Sequence, residues 1–348
     1  MIRAAIVGMG WWGKTLVESV ADSDRIRFVA GATRARTPDL EAFASAQRLR
    51  LIEGFDAVIA DCEIHAIVLA TPHSSHTQQV AAAAAAGKHV FCEKPFALAK
   101  ADAETAVAAT RRAGVTLGLG YNRRFHPEMT RLRNQIRSGE LGTILHLEAT
   151  MTVPNGLLLK PDAWRANRDE TPCGGLTPLG VHAIDGMIDL CGPIDEVYCQ
   201  SFRRAIAVDG DDTTSVLFRM KGGMSGYLGT MMATGPGFSF QVFGSKGWVR
   251  FEGMTHVAGA SSEERRTRLF GTCKFQPVKG EPQVWQAATL DIVKTSLEAF
   301  ADAVEGRSTF PIPVDEMIHG VAVTEAVVRS AQTHAVVQVD TTVSVAAV

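Results

Sequence analysis

A glycine-rich loop lies close to the amino terminus of the chain. Residues 8–13 read Gly-Met-Gly-Trp-Trp-Gly, the pattern G-x-G-x-x-G, directly after an apolar segment that predicts a strand. In this pattern the glycines permit a tight turn, backbone approach to a pyrophosphate, and close packing of helix on strand. The start of the following helix offers amides and a positive dipole end to phosphates. We therefore predict a dinucleotide site rather than a turn without a ligand, contacted by Gly8, Gly10, Trp11, Trp12 and Gly13.

The end of the second predicted strand bears on which dinucleotide is bound. An NAD-specific site usually carries Asp or Glu about 20 residues beyond the loop, where it bonds the ribose 2′-hydroxyl. This chain has Thr33 at that position, followed by Arg34 and Arg36. A carboxylate would repel a 2′-phosphate, whereas a hydroxyl and a guanidinium would bind it. The pattern favours NADP(H), with NAD(H) possible, and the alternative is a solvated pair of arginines.

A histidine in the second half of the chain is a candidate acid–base group. His182 lies in a predicted helix, and Asp185 follows three residues later on the same helix face. Histidine changes its charge near neutral pH, which suits general acid–base catalysis. The alternative is a structural histidine held by Asp185, and the two interpretations are compatible.

The elements that must position these residues change along the chain. Over the first 120 or so residues, short apolar strands alternate with helices, which predicts a parallel sheet covered on both faces. From about residue 194 to 252 the chain reads as successive strands with glycine-bearing turns, typical of an antiparallel or mixed sheet. Two helices should follow, at about 287–305 and 314–333. The polar segment 261–268 is expected to be an exposed loop, and 341–348 a tail or edge strand.

Composition limits the class of protein. The chain has 348 residues, 35 Lys and Arg against 37 Asp and Glu, and a net charge of -2, which argues against nucleic-acid binding. No apolar stretch approaches the ~20 residues of a membrane helix, and the amino terminus does not resemble a signal peptide. The six cysteines and the histidines show no metal-ligand spacing. We expect a cytoplasmic protein with free thiols, no metal, no membrane contact and a small-molecule substrate.

Three further segments resemble motifs of the Gfo/Idh/MocA oxidoreductases. They are Thr-Pro-His-Ser-Ser-His at 71–76, Ala-Gly-Lys-His-Val-Phe-Cys-Glu-Lys-Pro at 86–95, and Gly-Tyr-Asn-Arg-Arg-Phe at 120–125. The similarity runs from residue 2 to about 335. It implies an N-terminal Rossmann dinucleotide-binding domain, residues 1–121, and a C-terminal α+β domain, residues 122–348, with a large open, mostly antiparallel sheet. It also implies a homodimer or homotetramer that associates through that sheet.

The resemblance assigns roles to individual residues. Lys94 matches the lysine that reaches the substrate hydroxyl, Glu93 precedes it in the cofactor site, and Pro95 is expected to follow a cis bond. The role of Lys94 is chemically sound, because an ammonium stabilises the alkoxide that develops as hydride leaves carbon. Asn122 and Arg123 match the family's junction of cofactor and substrate, although Arg124 could be the inward arginine instead.

Residues outside these assignments are weaker candidates. Thr71, Pro72 and His76 follow a predicted strand, where they would line the nicotinamide half of the cofactor, although His76 could cap its helix instead. Trp164 and Arg165 would cover the cofactor or bind an anionic substrate group. The alternative for that pair is packing of the arginine on the tryptophan.

One position departs from the family pattern. Family members commonly carry an aspartate four residues before the histidine that His182 matches, and this chain has Pro178 there. Proline has no polar side chain and no amide donor, although it suits the first turn of a helix. Either Lys94 and His182 carry the proton chemistry alone, which we favour, or the protein only binds its ligands.

The function predicted is an NADP-dependent oxidoreductase. It would transfer a hydride between nicotinamide and a secondary alcohol or carbonyl substrate, of the sugar, cyclic polyol or dihydrodiol class. The alternatives are a non-catalytic NAD(P)-binding regulator on the same fold and an NAD-dependent glycosidase.

Overall fold

The computed structural model describes residues 1–33, 36–254 and 261–342. Arg34 therefore lies outside the described residues, as does most of the predicted tail at 341–348. Two compact units form within the described part: Met1–Asn122 together with Asp291–Ile318, and Arg123–Leu290 together with His319–Thr342. The sequence predicted a second domain over residues 122–348, whereas the segment Asp291–Ile318 belongs to the first unit.

The first unit is built on a six-stranded parallel sheet in the order β3-β2-β1-β4-β5-β6. Its strands are β1 (Ile2–Val7), β2 (Ile26–Thr33), β3 (Arg50–Glu53), β4 (Ala66–Leu69), β5 (His89–Cys92) and β6 (Leu117–Leu119). Its helices include α1 (Trp11–Ser19), α2 (Pro38–Ala46), α3 (Phe55–Ala60), α4 (His76–Ala85) and α5 (Lys100–Ala113). The strand order reverses between β1 and β4, which makes their carboxyl ends the switch point where ligands of such sheets bind.

A helix from late in the chain completes the first unit. Helix α9 (Ile292–Val304) buries Val293, Leu297 and Phe300 in the same core as β1 and β2. The Phe300 ring lies edge-on to Phe91 of β5, with 5.6 Å between the ring centres. Packing of this kind cannot be read from local sequence pattern, since it joins segments far apart in the chain.

The second unit is built on a nine-stranded sheet in the order β14-β13-β12-β11-β7-β10-β9-β8-β15. Strands β7 and β10 run parallel, and the other neighbouring strands of the described sheet run antiparallel. The strands are β7 (Ile144–Thr152), β8 (Ile194–Phe202), β9 (Thr213–Met220), β10 (Ser225–Met231), β11 (Gly237–Gly244), β12 (Gly247–Gly253), β13 (Thr272–Pro277), β14 (Gln283–Gln286) and β15 (Val337–Gln338). The predicted fold class, a Rossmann sheet followed by a mostly antiparallel sheet, is confirmed.

Helices cover one face of the larger sheet. They are α6 (Pro127–Arg137), α7 (Gly180–Cys191) and α10 (Val314–Thr333), of which α10 belongs to this unit from His319 onward. The short helix α8 (Ser262–Thr267), which buries no residue, also belongs to this unit. Side chains of β7, β10 and β11 alternate between buried and partly exposed, so that one face of the sheet forms the core with α7 and α10.

Local differences from the sequence analysis have identifiable causes. The segment 261–268, which was expected to be a loop, contains α8. This helix begins with a capping box, in which the side chains of Ser261 and Glu264 each accept a hydrogen bond from the other residue's backbone amide. The Ser-x-x-Glu spacing is the signal that could have predicted this helix. Helix α7 begins at Gly180, so Pro178 precedes the helix rather than occupying its first turn.

Candidate functional site

The glycine loop occupies the switch point of the first sheet. Gly8 has φ +96°, and a Cβ there would collide with the carbonyl oxygen of Ala70 at the end of β4. A Cβ at Gly13 would collide with the Gly8 carbonyl, so only glycine allows α1 to pack this close to β1. A Cβ at Gly10 would meet no atom of the described residues within 4 Å. The loop thus leaves open space at the one glycine where a pyrophosphate must approach the backbone.

The start of α1 suits an anionic ligand. The first amides of a helix have no partner within it, and they carry the positive end of the helix dipole. Lys14 donates the first intrahelical bond, to the Gly10 carbonyl at 3.0 Å. The Trp11 ring is 49% exposed and lies edge-on to Trp12, with ring centres 5.3 Å apart. These residues fit the diphosphate of a dinucleotide, and Trp11 is open enough to cover it.

The end of β2 carries groups of both charges. Thr33 is half-buried and pairs in register with Glu53 at the end of β3. The guanidinium of Arg36 donates to the Leu51 carbonyl at 3.1 Å, which holds this cation at the same edge. Glu53 escaped the sequence analysis because the register of β2 with β3 is not visible in the sequence. Arg34, the other predicted phosphate ligand, is outside the described residues.

His76 joins two of the loops that border the switch point. It is buried, with Nδ1 2.9 Å from the Pro95 carbonyl and Nε2 3.1 Å from the Thr71 carbonyl. A ring nitrogen bonds a carbonyl only when it carries a proton, so both bonds form together in the imidazolium. Both ring nitrogens face the protein's own backbone, and His76 therefore positions the loop after β4 against the loop after β5. Its contact with a cofactor stays a prediction, as do those of Thr71 and Pro72.

Lys94 lies in the loop after β5 and is partly exposed. The Lys94–Pro95 bond is cis, and the Lys94 amide donates to Glu93 Oε2 at 3.2 Å. Glu93 is only 5% exposed, and a Cβ on Gly120 would approach its carboxylate to 2.7 Å. Burial raises the pKa of Glu93, while the Lys94 charge and the Trp12 side chain oppose that rise. A buried carboxylate thus links the glycine loop to the loop that carries the proposed catalytic lysine, and Asn122, also buried, follows β6 nearby in the chain.

Within the second unit, Arg124 forms a dense ion-pair network. Its guanidinium donates to both oxygens of Asp185, at 2.6 and 2.9 Å, and to Asp189 at 3.4 Å. Arg133 donates to the same Asp189 at 3.2 and 2.5 Å. Both partners of the Arg124–Asp185 pair are buried. This geometry makes Arg124 a structural link between the chain before α6 and helix α7.

Arg123, the preceding residue, is equally buried but has a different environment. Its Nη1 lies 3.6 Å from Met151 Sδ, and its guanidinium lies 5.0 Å from the centre of the Phe238 ring. Among the residues that the structure describes, no carboxylate pairs with it. Burial lowers the pKa of Arg123 to about 9, so it stays cationic at neutral pH. Arg124 therefore pairs with Asp185, whereas Arg123 has no carboxylate partner among the described residues, and the role of Arg123 in substrate binding stays a prediction.

His182 lies in the first turn of α7 and is buried. The residue expected to hold it, Asp185, accepts the bidentate bond from Arg124. Before α7 the chain makes a tight turn at Gly174–Leu176, and Thr177 follows it. The turn and the helix start are the elements that would present His182 to a ligand.

Trp164 and Arg165 stack on each other. The Arg165 guanidinium lies 4.2 Å from the Trp164 ring centre, and burial lowers the pKa of Arg165. The Arg165 carbonyl accepts a bond from Thr171 at 2.9 Å, which ties this loop to the segment before the Gly174 turn. The stacking was the alternative in the sequence analysis, and binding of an anionic substrate group stays a prediction.

The described residues, 1–33, 36–254 and 261–342, contain neither a metal-binding cluster nor a membrane-spanning helix. No group of three or more His, Cys, Asp or Glu side chains there could hold a metal ion. None of the helices in that part of the chain is both long and apolar enough to cross a membrane.

A parallel sheet of this strand order, with its glycine loop at the switch point, defines a dinucleotide-binding domain. Two family models match the chain: "Oxidoreductase family, NAD-binding Rossmann fold" over residues 2–121 and "GFO/IDH/MocA C-terminal domain" over residues 129–250. Together they cover more than half of the sequence. The chain therefore belongs to the Gfo/Idh/MocA family of oxidoreductases, and it is an NAD(P)-dependent enzyme.

Individual relatives extend the similarity over nearly the whole chain. The rhizopine catabolism protein MocA of Rhizobium meliloti is 28% identical over 331 residues, 93% of each chain. The scyllo-inositol 2-dehydrogenase (NADP(+)) IolU of Bacillus subtilis is 27% identical over 61% of this chain and 65% of its own. A solved levoglucosan dehydrogenase, in complex with NADH and levoglucosan, superposes with a TM-score of 0.82 at 19% identity, covering 97% of this chain and 99% of the other. The last similarity shows the fold alone.

Proposed function

We propose that the protein is an NADP-dependent dehydrogenase or reductase acting on a CH–OH group of a sugar, cyclic polyol or dihydrodiol, or on the matching carbonyl. The observation that carries the proposal is the placement of Lys94. It follows β5, beside the β1–β4 switch point, in a loop held by His76 and by the Glu93 carboxylate. Relatives named as inositol dehydrogenases support the CH–OH chemistry.

The reaction separates a hydride from a proton. When an alcohol is oxidised, its carbon loses a hydride and its oxygen loses a proton, which leaves a carbonyl. A nicotinamide cofactor held by the glycine loop would supply the hydride chemistry. In the proposal the Lys94 ammonium stabilises negative charge at the substrate oxygen, and His182 exchanges the proton.

The test of this assignment is the variant Lys94→Ala. We expect turnover to fall by about 10²-fold or more, because the charge that stabilises the substrate oxygen is lost, with NADPH binding nearly unchanged. Lys279→Ala, at an exposed lysine, is the matched control. Turnover within about threefold of wild type would refute the role of Lys94. If neither wild type nor variant turns over any alcohol with either cofactor, the alternative of a non-catalytic binding protein gains ground, and Pro178 is the residue that favours it.

The preference for NADP over NAD is a separate part of the proposal. Thr33 and Arg36, whose guanidinium is held by the Leu51 carbonyl, support the preference for NADP, and Arg34 would supply a second guanidinium. The neighbouring Glu53 favours NAD instead, because a carboxylate can bond the ribose 2′-hydroxyl. Arg34→Ala should raise the Michaelis constant for NADPH relative to that for NADH. An unchanged ratio would contradict the preference. NAD that stays bound through purification would instead favour the glycosidase alternative.

We further propose a homodimer or homotetramer that associates through the open face of the nine-stranded sheet. Tyr198, Leu217 and Tyr227 stand side by side there on β8, β9 and β10, and Leu217 is 56% exposed. Leu217→Glu should shift the particle mass in light scattering from oligomer to monomer. Leu145 is also exposed, at 53%, but it points to the opposite side of the sheet. Leu145→Glu should therefore leave the particle mass unchanged.

The proposed location is the cytoplasm. All six cysteines are free thiols, four of them buried, which is the state that a reducing compartment maintains.

A further inference from the structure

Lys94 stands between two attachments of its loop in the first unit. The Glu93 amide donates to the Leu69 carbonyl at 2.9 Å, at the end of the ladder between β4 and β5. Two residues after Glu93, the Pro95 carbonyl lies 2.9 Å from His76 Nδ1. The position of the proposed catalytic lysine therefore depends on His76 as well as on the sheet.

The other partner of His76 has further attachments. The Thr71 carbonyl lies 3.1 Å from His76 Nε2. The Thr71 hydroxyl also donates to Gln79 Oε1 of α4 at 2.6 Å, and the amide of the preceding residue, Ala70, donates to the Val7 carbonyl at 2.8 Å. Because these bonds hold Thr71 independently of His76, weakening of the bridge would release the loop after β5 rather than the loop after β4.

Both bonds of this bridge require a proton on the ring nitrogen. A carbonyl oxygen only accepts, and a neutral imidazole has one N–H and one nitrogen lone pair. In the neutral form that lone pair would face a carbonyl oxygen at 2.9 or 3.1 Å, which is repulsive. The burial of His76 and its place at the start of α4 oppose a positive charge, whereas the two carbonyls favour it. With both distances in hydrogen-bond range, the geometry is that of the imidazolium.

Other ionisable groups surround the bridge. The His73 ring lies edge-on to the His76 ring, with 6.0 Å between the ring centres. The remaining ionisable side chains lie at the end of β5, in the loop after it and at the start of α5: Cys92, Glu93, Lys94, Lys100 and Glu104. Because several of these groups titrate, a test of His76 must compare two proteins that differ at this residue alone.

We propose that His76 is a positioning residue for Lys94, and that it holds the loop of residues 93–99 only while it carries its proton. The imidazolium bridges Pro95 and Thr71, which keeps Lys94 beside the switch point. As pH rises through the titration of His76, the proton passes to solvent, one bond of the bridge is lost, and the loop is released. The effect on catalysis rests on the proposed function, whereas the protonation and the release of the loop do not.

Two exchange measurements on the wild type test the inference without a substrate. Deuterium exchange at the imidazole C2 position, read for each histidine by tandem mass spectrometry, gives the titration midpoint of His76. We expect this midpoint above the ordinary histidine value of about 6.5. Amide exchange of residues 93–99, corrected for the intrinsic effect of pH, should rise about tenfold or more as pH passes the midpoint. A midpoint at or below the ordinary value, or amide exchange that does not change across it, overturns the inference.

The variant His76→Gln provides the kinetic test, and His334→Gln, at an exposed histidine, is the matched control. Below the midpoint the wild type should turn over about ten- to a hundredfold faster than His76→Gln, because a hydrogen bond from a charged donor is lost. Above the midpoint the ratio of the two rates should approach one. The other titrating groups are common to both proteins and cancel in this ratio. His334→Gln should match the wild type at every pH.

The outcomes separate this inference from the proposed function. A protonated His76 whose titration loosens residues 93–99, in a protein that oxidises or reduces no substrate, supports the inference and refutes the dehydrogenase assignment. Turnover that depends on Lys94, with a ratio of wild type to His76→Gln that is the same at every pH, does the reverse. If His76→Gln does not fold, the two exchange measurements on the wild type decide.

Discussion

Arg123 and Arg124 are neighbours in the chain with different surroundings. Both side chains are buried to the same degree, at 7% and 6% exposure. Arg124 is enclosed by Asp185 and Asp189 between α6 and α7, whereas Arg123 lies on methionine and phenylalanine side chains over the sheet. One region satisfies its buried charge with the protein's own acids, and in the other no acid of the described residues pairs with the charge.

This difference distinguishes a buried charge with an acid partner from one without an acid partner among the described residues. A buried ion pair is strongly destabilised when one partner is removed, because the remaining charge stays buried and unpaired. A buried charge that is already unpaired has no such partner to lose. Stability measurements can therefore distinguish the two arginines without knowledge of the substrate.

The largest effect is expected at the paired arginine. Arg124→Met should lower the free energy of unfolding by about 3–5 kcal/mol, because the buried Asp185 loses its guanidinium partner. Urea unfolding followed by circular dichroism measures this loss. The double variant Arg124→Met/Asp185→Leu should recover most of it, since both charges are then replaced by apolar groups. A single variant that loses less than about 1 kcal/mol would contradict the structural role of the pair.

Glu93 extends the comparison to a buried acid in the first unit. Burial raises its pKa above the ordinary glutamate value of about 4.3, so the folded state favours the neutral carboxyl. Glu93 therefore contributes its full stability at pH values below the ordinary glutamate pKa. That contribution is lost as pH rises through the raised pKa of Glu93 in the folded protein.

Glu93→Gln should remove that pH dependence. As pH rises above about 4, the wild type should lose stability relative to the variant, because the buried carboxyl of Glu93 ionises. Thermal midpoints of both proteins at steps of pH give the measurement. Parallel curves for the two proteins would show that burial does not perturb Glu93.

The sequence predicted the fold where local pattern determines it. The glycine loop, the strand–helix alternation and the strand runs led to both sheets in the right order. The role of α9 in the first unit was missed, because the contact of Phe300 with Phe91 joins residues far apart in the chain. Strands β13 and β14 were not predicted either. Helix α8 was predicted as a loop, although the Ser-x-x-Glu spacing of its capping box is visible in the sequence.

The site was predictable as a set of residues, not as a set of interactions. Residue type marked His76 and Arg123, but the bonds of His76 to two backbone carbonyls depend on how two loops fold. The two arginines could not be distinguished in the sequence, because the acid that pairs with only one of them, Asp185, lies 61 positions from Arg124. Glu53 was overlooked for the same reason, as its place beside Thr33 follows from strand register.

The smallest effect is expected at the unpaired arginine. Arg123→Met should change the free energy of unfolding by no more than about 1 kcal/mol in either direction, measured in the same urea experiment as Arg124→Met. Loss of packing by the arginine stem opposes the gain from removing an uncompensated buried charge. Arg137→Met sets the scale for an exposed arginine, at about 0.5 kcal/mol or less. If Arg123→Met instead destabilised the protein as much as Arg124→Met, Arg123 would have a structural partner, and the distinction between the two regions would fail.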